Sequence, residues 1–126
     1  MPAPANVVIL QGPTIKAGDS LSDALTVSSG NIFRVIMPDD WNTAILTMQI
    51  SMDGTNYYDV FDEFGKEFTM PCVPNSIIPL SRYLMTIAGL KIRSGFGRSP
   101  VKQSADRVFG IVIDTRAGAV TDTLPT

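Results

Sequence analysis

The sequence predicts an all-β domain: an antiparallel β-sandwich of jelly-roll type, with about eight short strands, one short helix and extended terminal arms. Three observations predict it. Runs rich in β-branched and aromatic residues recur along the chain, separated by Gly, Pro or Asp-Gly signals. No strand-helix alternation supports a parallel sheet. The 126 residues, 44% hydrophobic and 17% charged, suit one compact core, with no repeat and no second domain.

Val7 to Gln11 is an apolar run that Gly12-Pro13 is expected to stop. Ala24 to Val27 is a short second candidate, and Asn31 to Met37 a third, ended by Pro38. Ile45 to Met52 alternates, with Leu46, Met48, Ile50 and Met52 opposing Ile45, Thr47, Gln49 and Ser51. That pattern predicts a strand with one buried and one wet face. Asp53-Gly54 tolerates positive φ and signals a hairpin, with Asn56 to Asp62 as the return strand. Phe64-Gly65-Lys66 turns the chain into Glu67–Met70, and Ser76 to Leu80 resumes after Pro71, Pro74 and Asn75. Leu80, Tyr83, Leu84 and Ile87 fall at helical spacing, with Ser81 as N-cap and Gly89 beyond the end. They predict a helix of about two turns over Ser81–Ala88. Leu90 to Ser94 alternates again, Gly95 to Asp106 reads as a loop, and Arg107 to Asp114 as a buried last strand. The expected core holds Phe33, Val35, Leu46, Met48, Ile50, Val60, Ile92, Phe109, Ile111 and Ile113. It occupies roughly residues 7–114, between arms over 1–6 and 115–126. Ordering such arms costs about 1–2 kcal/mol per residue in backbone entropy, so they need contacts with the domain surface or a neighbouring chain.

Composition narrows the chemistry. Histidine is absent and there is one cysteine, Cys72. These counts remove Ser-His-Asp and Cys-His catalysis, Cys/His zinc sites and any intrachain disulfide. No apolar run is long enough for a membrane-spanning helix. The N-terminus has no basic residue ahead of its apolar stretch, so no secretory signal is expected. A pI near 4.8 argues against a nucleic-acid partner. Residues 1–67 carry nine acids and three bases, a net −6, and residues 68–126 carry three acids and seven bases, a net +4. Either the fold interleaves the two halves, or it presents faces of opposite sign suited to head-to-tail contacts.

Individual motifs point to structure more than to chemistry. Asp53-Gly54-Thr55-Asn56, near Asp59, Asp62 and Glu63, lacks the ligand spacing of a calcium loop and reads as a turn. Ser99-Pro100-Val101-Lys102 matches the S-x-x-K string of serine acyl-enzymes, but no helix is expected there and the partner motifs are missing. Arg93-Ser94-Gly95-Phe96-Gly97-Arg98 interleaves bases with an aromatic, as a single-strand stacking platform would, or as a strand end and flexible turn would. Trp41 reads as a core plug at the sandwich edge, or as an exposed platform for a sugar or partner. Tyr57 and Tyr58 should face opposite sides of a strand. Nothing near Cys72 in sequence would activate its thiol. No catalytic, cofactor-binding or metal-ligating residue is assigned, and no cofactor, nucleic acid or membrane partner is expected.

One series of residues goes further. Trp41 is followed by Leu46-Thr47-Met48-Gln49-Ile50-Ser51 and Asp53-Gly54-Thr55-Asn56-Tyr57. Later come Lys91-Ile92-Arg93-Ser94-Gly95, then Pro100-Val101, Gln103-Ser104-Ala105-Asp106-Arg107. The series, over roughly residues 30–114, resembles small proteins encoded among the virion structural genes of tailed bacteriophages and prophages. The resemblance implies a non-enzymatic virion component made in the host cytoplasm, and it carries no functional residues onto this chain. The leading expectation is a capsid decoration (cement) protein that binds the major capsid protein lattice, or other virion proteins, as a homo-oligomer on the particle. The alternatives are a neck or tail structural protein, or a carbohydrate-binding β-sandwich for host adhesion.

Overall fold

A computed structural model describes residues 7–27, 31–80 and 87–114. They form eight strands: β1 (Val7–Ile15), β2 (Leu25–Thr26), β3 (Asn31–Ile36), β4 (Leu46–Ser51), β5 (Tyr58–Asp59), β6 (Ile77–Pro79), β7 (Gly89–Ser94) and β8 (Arg107–Asp114). Two four-stranded antiparallel sheets result, in the orders β1-β8-β3-β6 and β2-β7-β4-β5. Each strand pairs with its mirror from the other end of the chain: β1 with β8, β2 with β7, β3 with β6, β4 with β5. The chain is therefore one long ribbon, folded back at the β4–β5 turn and rolled so that alternate pairs enter opposite sheets. This is the jelly-roll arrangement. The predicted arms over 1–6 and 115–126 lie outside the described residues. So does most of the predicted helix, residues 81–86; Ile87 and Ala88 are not helical, and the Ala88 amide already donates to the Ser51 carbonyl.

Several boundaries differ from expectation for identifiable reasons. Gly12-Pro13 does not stop β1. Gln11 faces Gly110 and Thr14 faces Val108, so the dipeptide sits in a bulge, where proline's missing N–H leaves no ladder bond unmade. Pro79 is tolerated because β6 lies at a sheet edge. The return strand after the turn is Tyr58–Asp59, because the backbone N–H groups of Thr55 and Asn56 are taken by the Asp53 carboxylate, each at 2.8 Å. In β3, Ile32 faces Ile113 and Arg34 faces Val112, so Phe33 is the extra residue of a bulge. Ile32 and Val35 both become core, whereas the Phe33 side chain lies outside the described part. The short strands β2 and β5 sit at the edges of their sheet, which limits the backbone open to edge pairing.

The core lies between the sheets. Val35, Leu46, Met48, Ile92, Phe109, Ile111 and Ile113 are buried as predicted, and Ile50 and Val60 pack against them. Ile15, Met37, Met70, Leu80 and Leu90 join them from bulges, loops and strand ends. Trp41 closes one end, its ring edge-on to Phe109 at 5.6 Å between centroids and 75° between planes, and its Nε1–H donates to the Ala44 carbonyl at 3.1 Å. Phe109 is fully buried under that contact. Phe109→Ala should cost about 3–5 kcal/mol, read as a lower denaturant midpoint with little change in slope. An exposed control, Phe64→Ala, should change the midpoint little, because Phe64 is 81% exposed.

Candidate functional site

The most developed cluster lies on the outer face of the β2-β7-β4-β5 sheet. Register places Thr47 opposite Arg93, and Gln49 between Lys91 and Asp59. Alternation predicted this as the wet face of β4. Yet Thr47 is fully buried and Arg93 only 6% exposed. Two loop segments cover them: the chain around Glu67, and a tight turn over Gly95–Pro100 closed by reciprocal hydrogen bonds between Phe96 and Ser99.

A covered guanidinium has to be paired. Arg93 Nη2 donates to Asp59 Oδ1 at 2.5 Å, and Nη1 donates to Glu67 Oε2 at 3.0 Å and to Thr47 Oγ1 at 3.4 Å. Gln49 Nε2 adds a bond to Asp59 Oδ1 at 3.0 Å. The Gly97 amide donates to both oxygens of Glu67 at 3.0 Å. The bond from Arg93 holds the Asp59 carboxyl below its usual range.

The glycines of Gly95-Phe96-Gly97 are set by this packing. Gly95 has φ +87°, and a Cβ there would lie 2.6 Å from the Ser99 carbonyl. A Cβ on Gly97 would come within 3.0 Å of both Arg93 Nη1 and Asp59 Oδ2. The turn therefore presses bare backbone onto the ion cluster. Phe96 remains 44% exposed, and Phe61 on the facing segment is 58% exposed. Between them lies an open cleft of about 510 Å³, which Glu67 and Arg98 also line.

The second feature is the outer face of the β1-β8-β3-β6 sheet. Register aligns Ile9 with Val112, and Gln11, Gly110, Ile36 and Ile77 in the next row. Ile9 is 55%, Ile77 53% and Val108 47% exposed. A shallow groove of about 410 Å³ runs over Ile9, Ile36, Val108 and Gly110, and Asp39, Asp40 and Asp106 contribute to its lining. Gly110 keeps it open, since a Cβ there would come 3.2 Å from the Ile36 side chain.

Gln103-Ser104-Ala105-Asp106-Arg107 forms a latch beside this groove. Arg107 donates to Gln103 Oε1 at 3.0 Å and Asn42 Oδ1 at 2.8 Å, and pairs with Asp40 at 3.4 Å. Gln103, 1% exposed, exchanges bonds with the backbone of Asn42 and, through its own backbone, with Gly18 and Asp19. Asp106 accepts from the Ala17 amide at 2.9 Å. Three loops are tied together at this point.

The remaining motifs resolve as structure. Asp53 accepts from Thr55, Asn56 and Ser51, so its carboxylate closes the turn, and its pKa lies well below the usual carboxylate range, chiefly through the Asn56 amide. Among the described residues no group of His, Cys, Asp or Glu side chains is arranged to hold a metal ion. Trp41 is core, which removes it as a platform. Tyr57 lies across Gly89 with the Lys91 ammonium 4.7 Å from its ring centre, and Tyr58 is 67% exposed. The Cys72 thiol donates to the Ala44 carbonyl at 3.2 Å, and burial pushes its pKa up. Ser99 and Lys102 are exposed on non-helical chain, which does not support the S-x-x-K reading. Arg93 is committed to its carboxylates, leaving Phe96 and Arg98 as the outward members of the basic-aromatic string.

Arg93→Met should destabilise the fold by about 2–4 kcal/mol, because Glu67 stays covered without its cation. The figure is below that for a sealed pair, since the Asp59 side chain keeps 36% exposure. The sign of the pH dependence follows from the depressed Asp59 pKa. Its contribution is present above the ordinary value of 3.8 and is lost as pH falls through the lower folded value. Acid titration of stability should therefore be shallower in Arg93→Met than in the native chain. Comparison with known proteins finds no matching family model, no curated protein and no solved structure of significant similarity.

Proposed function

We propose that this chain is a structural, non-enzymatic protein of a tailed-phage particle, a capsid decoration protein that sits on the major capsid protein lattice in several side-by-side copies. The observation that carries the reading is the open outer face of the β1-β8-β3-β6 sheet, where exposed aliphatic side chains stand among Gln11, Arg34 and three carboxylates. Ile9, Val108 and Ile77 stand about half exposed on one sheet surface, with carboxylates beside them. A broad, shallow surface that mixes exposed aliphatic side chains with charges suits contact with another protein better than capture of a small molecule. The series of residues resembling phage virion proteins supports the same reading. The jelly roll, an architecture used by capsid and lectin domains, agrees with it by analogy of fold. Weak contacts repeated over many copies gain through avidity.

The test is occupancy on particles. Ile9→Glu and Val108→Glu place charge on exposed positions, so folding should be retained by circular dichroism and thermal midpoint. Binding to undecorated capsids should fall by about tenfold or more. Unchanged occupancy of both variants would refute the assigned contact face. Detection of the native chain only at the neck or tail would refute the decoration role.

A further inference from the structure

The cleft above Arg93 is separate from the sheet face assigned to capsid contact, and it has the lining of a ligand site. From its walls and its charge balance we infer that it binds a neutral saccharide. Its walls are two phenyl rings, Phe61 at 58% and Phe96 at 44% exposure. Rings left this exposed in facing segments offer flat apolar surfaces to a ligand of matching shape. The polar groups are equally specific. Asp59 Oδ1 is taken by Arg93 and Gln49, whereas Asp59 Oδ2 accepts no hydrogen bond among the described residues. The Arg98 guanidinium likewise donates none among the described residues and lines the cleft with Asp59 and Glu67. The site thus offers an open acceptor and an open donor between two apolar walls.

Charge selects among ligands. Two carboxylates, Asp59 and Glu67, face two guanidiniums, the lining Arg98 and the underlying Arg93. The four charges cancel. A phosphate-bearing ligand would meet the carboxylates, and a cationic side chain would meet Arg98. A neutral molecule with hydroxyls around an apolar ring face satisfies acceptor, donor and walls together. A pyranose has this chemistry. The volume of about 510 Å³ falls within the range of roughly 300–1,000 Å³ typical of small-molecule sites. Arg93 fixes the geometry by holding both carboxylates, and the glycines at 95 and 97 hold the Phe96 turn against them.

The inference is independent of the virion reading. The probes are neutral disaccharides of glucose, galactose, mannose and N-acetylglucosamine, titrated against the intact protein by NMR. At least one should shift the amides of Gly97, Arg98 and Ser99. Phe61→Ala and Phe96→Ala remove exposed rings, so both variants should keep the fold. Each should weaken binding by about tenfold or more, and Arg98→Ala by less. Val108→Glu, on the other sheet, should bind as the native chain does. The proposal is overturned if no neutral disaccharide binds at millimolar concentration. It is also overturned if the Phe61→Ala/Phe96→Ala double variant binds undiminished, or if only sulfated or sialylated saccharides bind. Capsid occupancy of the double variant should be unchanged, which separates failure of this site from failure of the capsid role.

Discussion

The structure depends on the pairing of the two ends of the folded chain, β1 against β8, from Val7 opposite Asp114 to Ile15 opposite Arg107. Every inner pair of the ribbon is nested within it. Closing so long a loop adds only modestly to the entropy cost of a shorter one, so the topology is thermodynamically affordable. It is kinetically demanding, because local structure contributes little until distant strands meet. The Asp53 turn matters for this reason. Its carboxylate takes two backbone amides, a hydroxyl and a side-chain amide within a few residues, which fixes the tip of the ribbon from local chemistry.

The same nesting explains the charge distribution. Lys16 pairs with Asp106, Arg93 with Asp59 and Glu67, and Arg107 with Asp40. The two arginines belong to the basic second half and their carboxylates to the acidic first half, whereas the Lys16 pair joins the halves with the signs reversed. A ribbon that lays its second half on its first converts an asymmetry along the sequence into neutralisation in space. The two arginines differ from the exposed Lys16 pair in consequence. Both are largely covered, and each organises loops instead of merely decorating the surface. Arg93 gathers the segments that form the aromatic cleft, and Arg107 gathers the three loops beside the groove of the other sheet.

The two outer sheet faces therefore have different characters. One is open and mixes exposed aliphatic side chains with charges, with a groove kept clear by Gly110. The other is polar in sequence yet roofed by loops, and its aromatic residues stand on the roof. This division separates a broad open sheet surface from a compact cleft. It lets one small domain present both without either competing for the same residues.

Much of the fold was legible in the sequence because strand signals are local. Period-two alternation, Asp-Gly and β-branched runs placed β3, β4, β7 and β8 close to their observed limits, and Arg107–Asp114 at its observed limits. Signals of the same kind misled where tertiary context overrode them. Gly12-Pro13 breaks an isolated strand, but a bulge at a sheet edge accommodates it. Thr47 and Ser51 read as a wet face, yet both are fully buried, Thr47 under the turn at Gly95 and Ser51 with its hydroxyl bonded into the Asp53-Gly54 turn. Trp41 read as a core plug, with an exposed platform as the alternative, and the position of Phe109 beneath it decided for the plug. The cleft was the least legible part. Its residues come from three stretches, around Asp59, Glu67 and Arg98, with no shared spacing. They converge because the ribbon folds back and one covered guanidinium binds two carboxylates, a constraint that exists only once the chain has closed on itself.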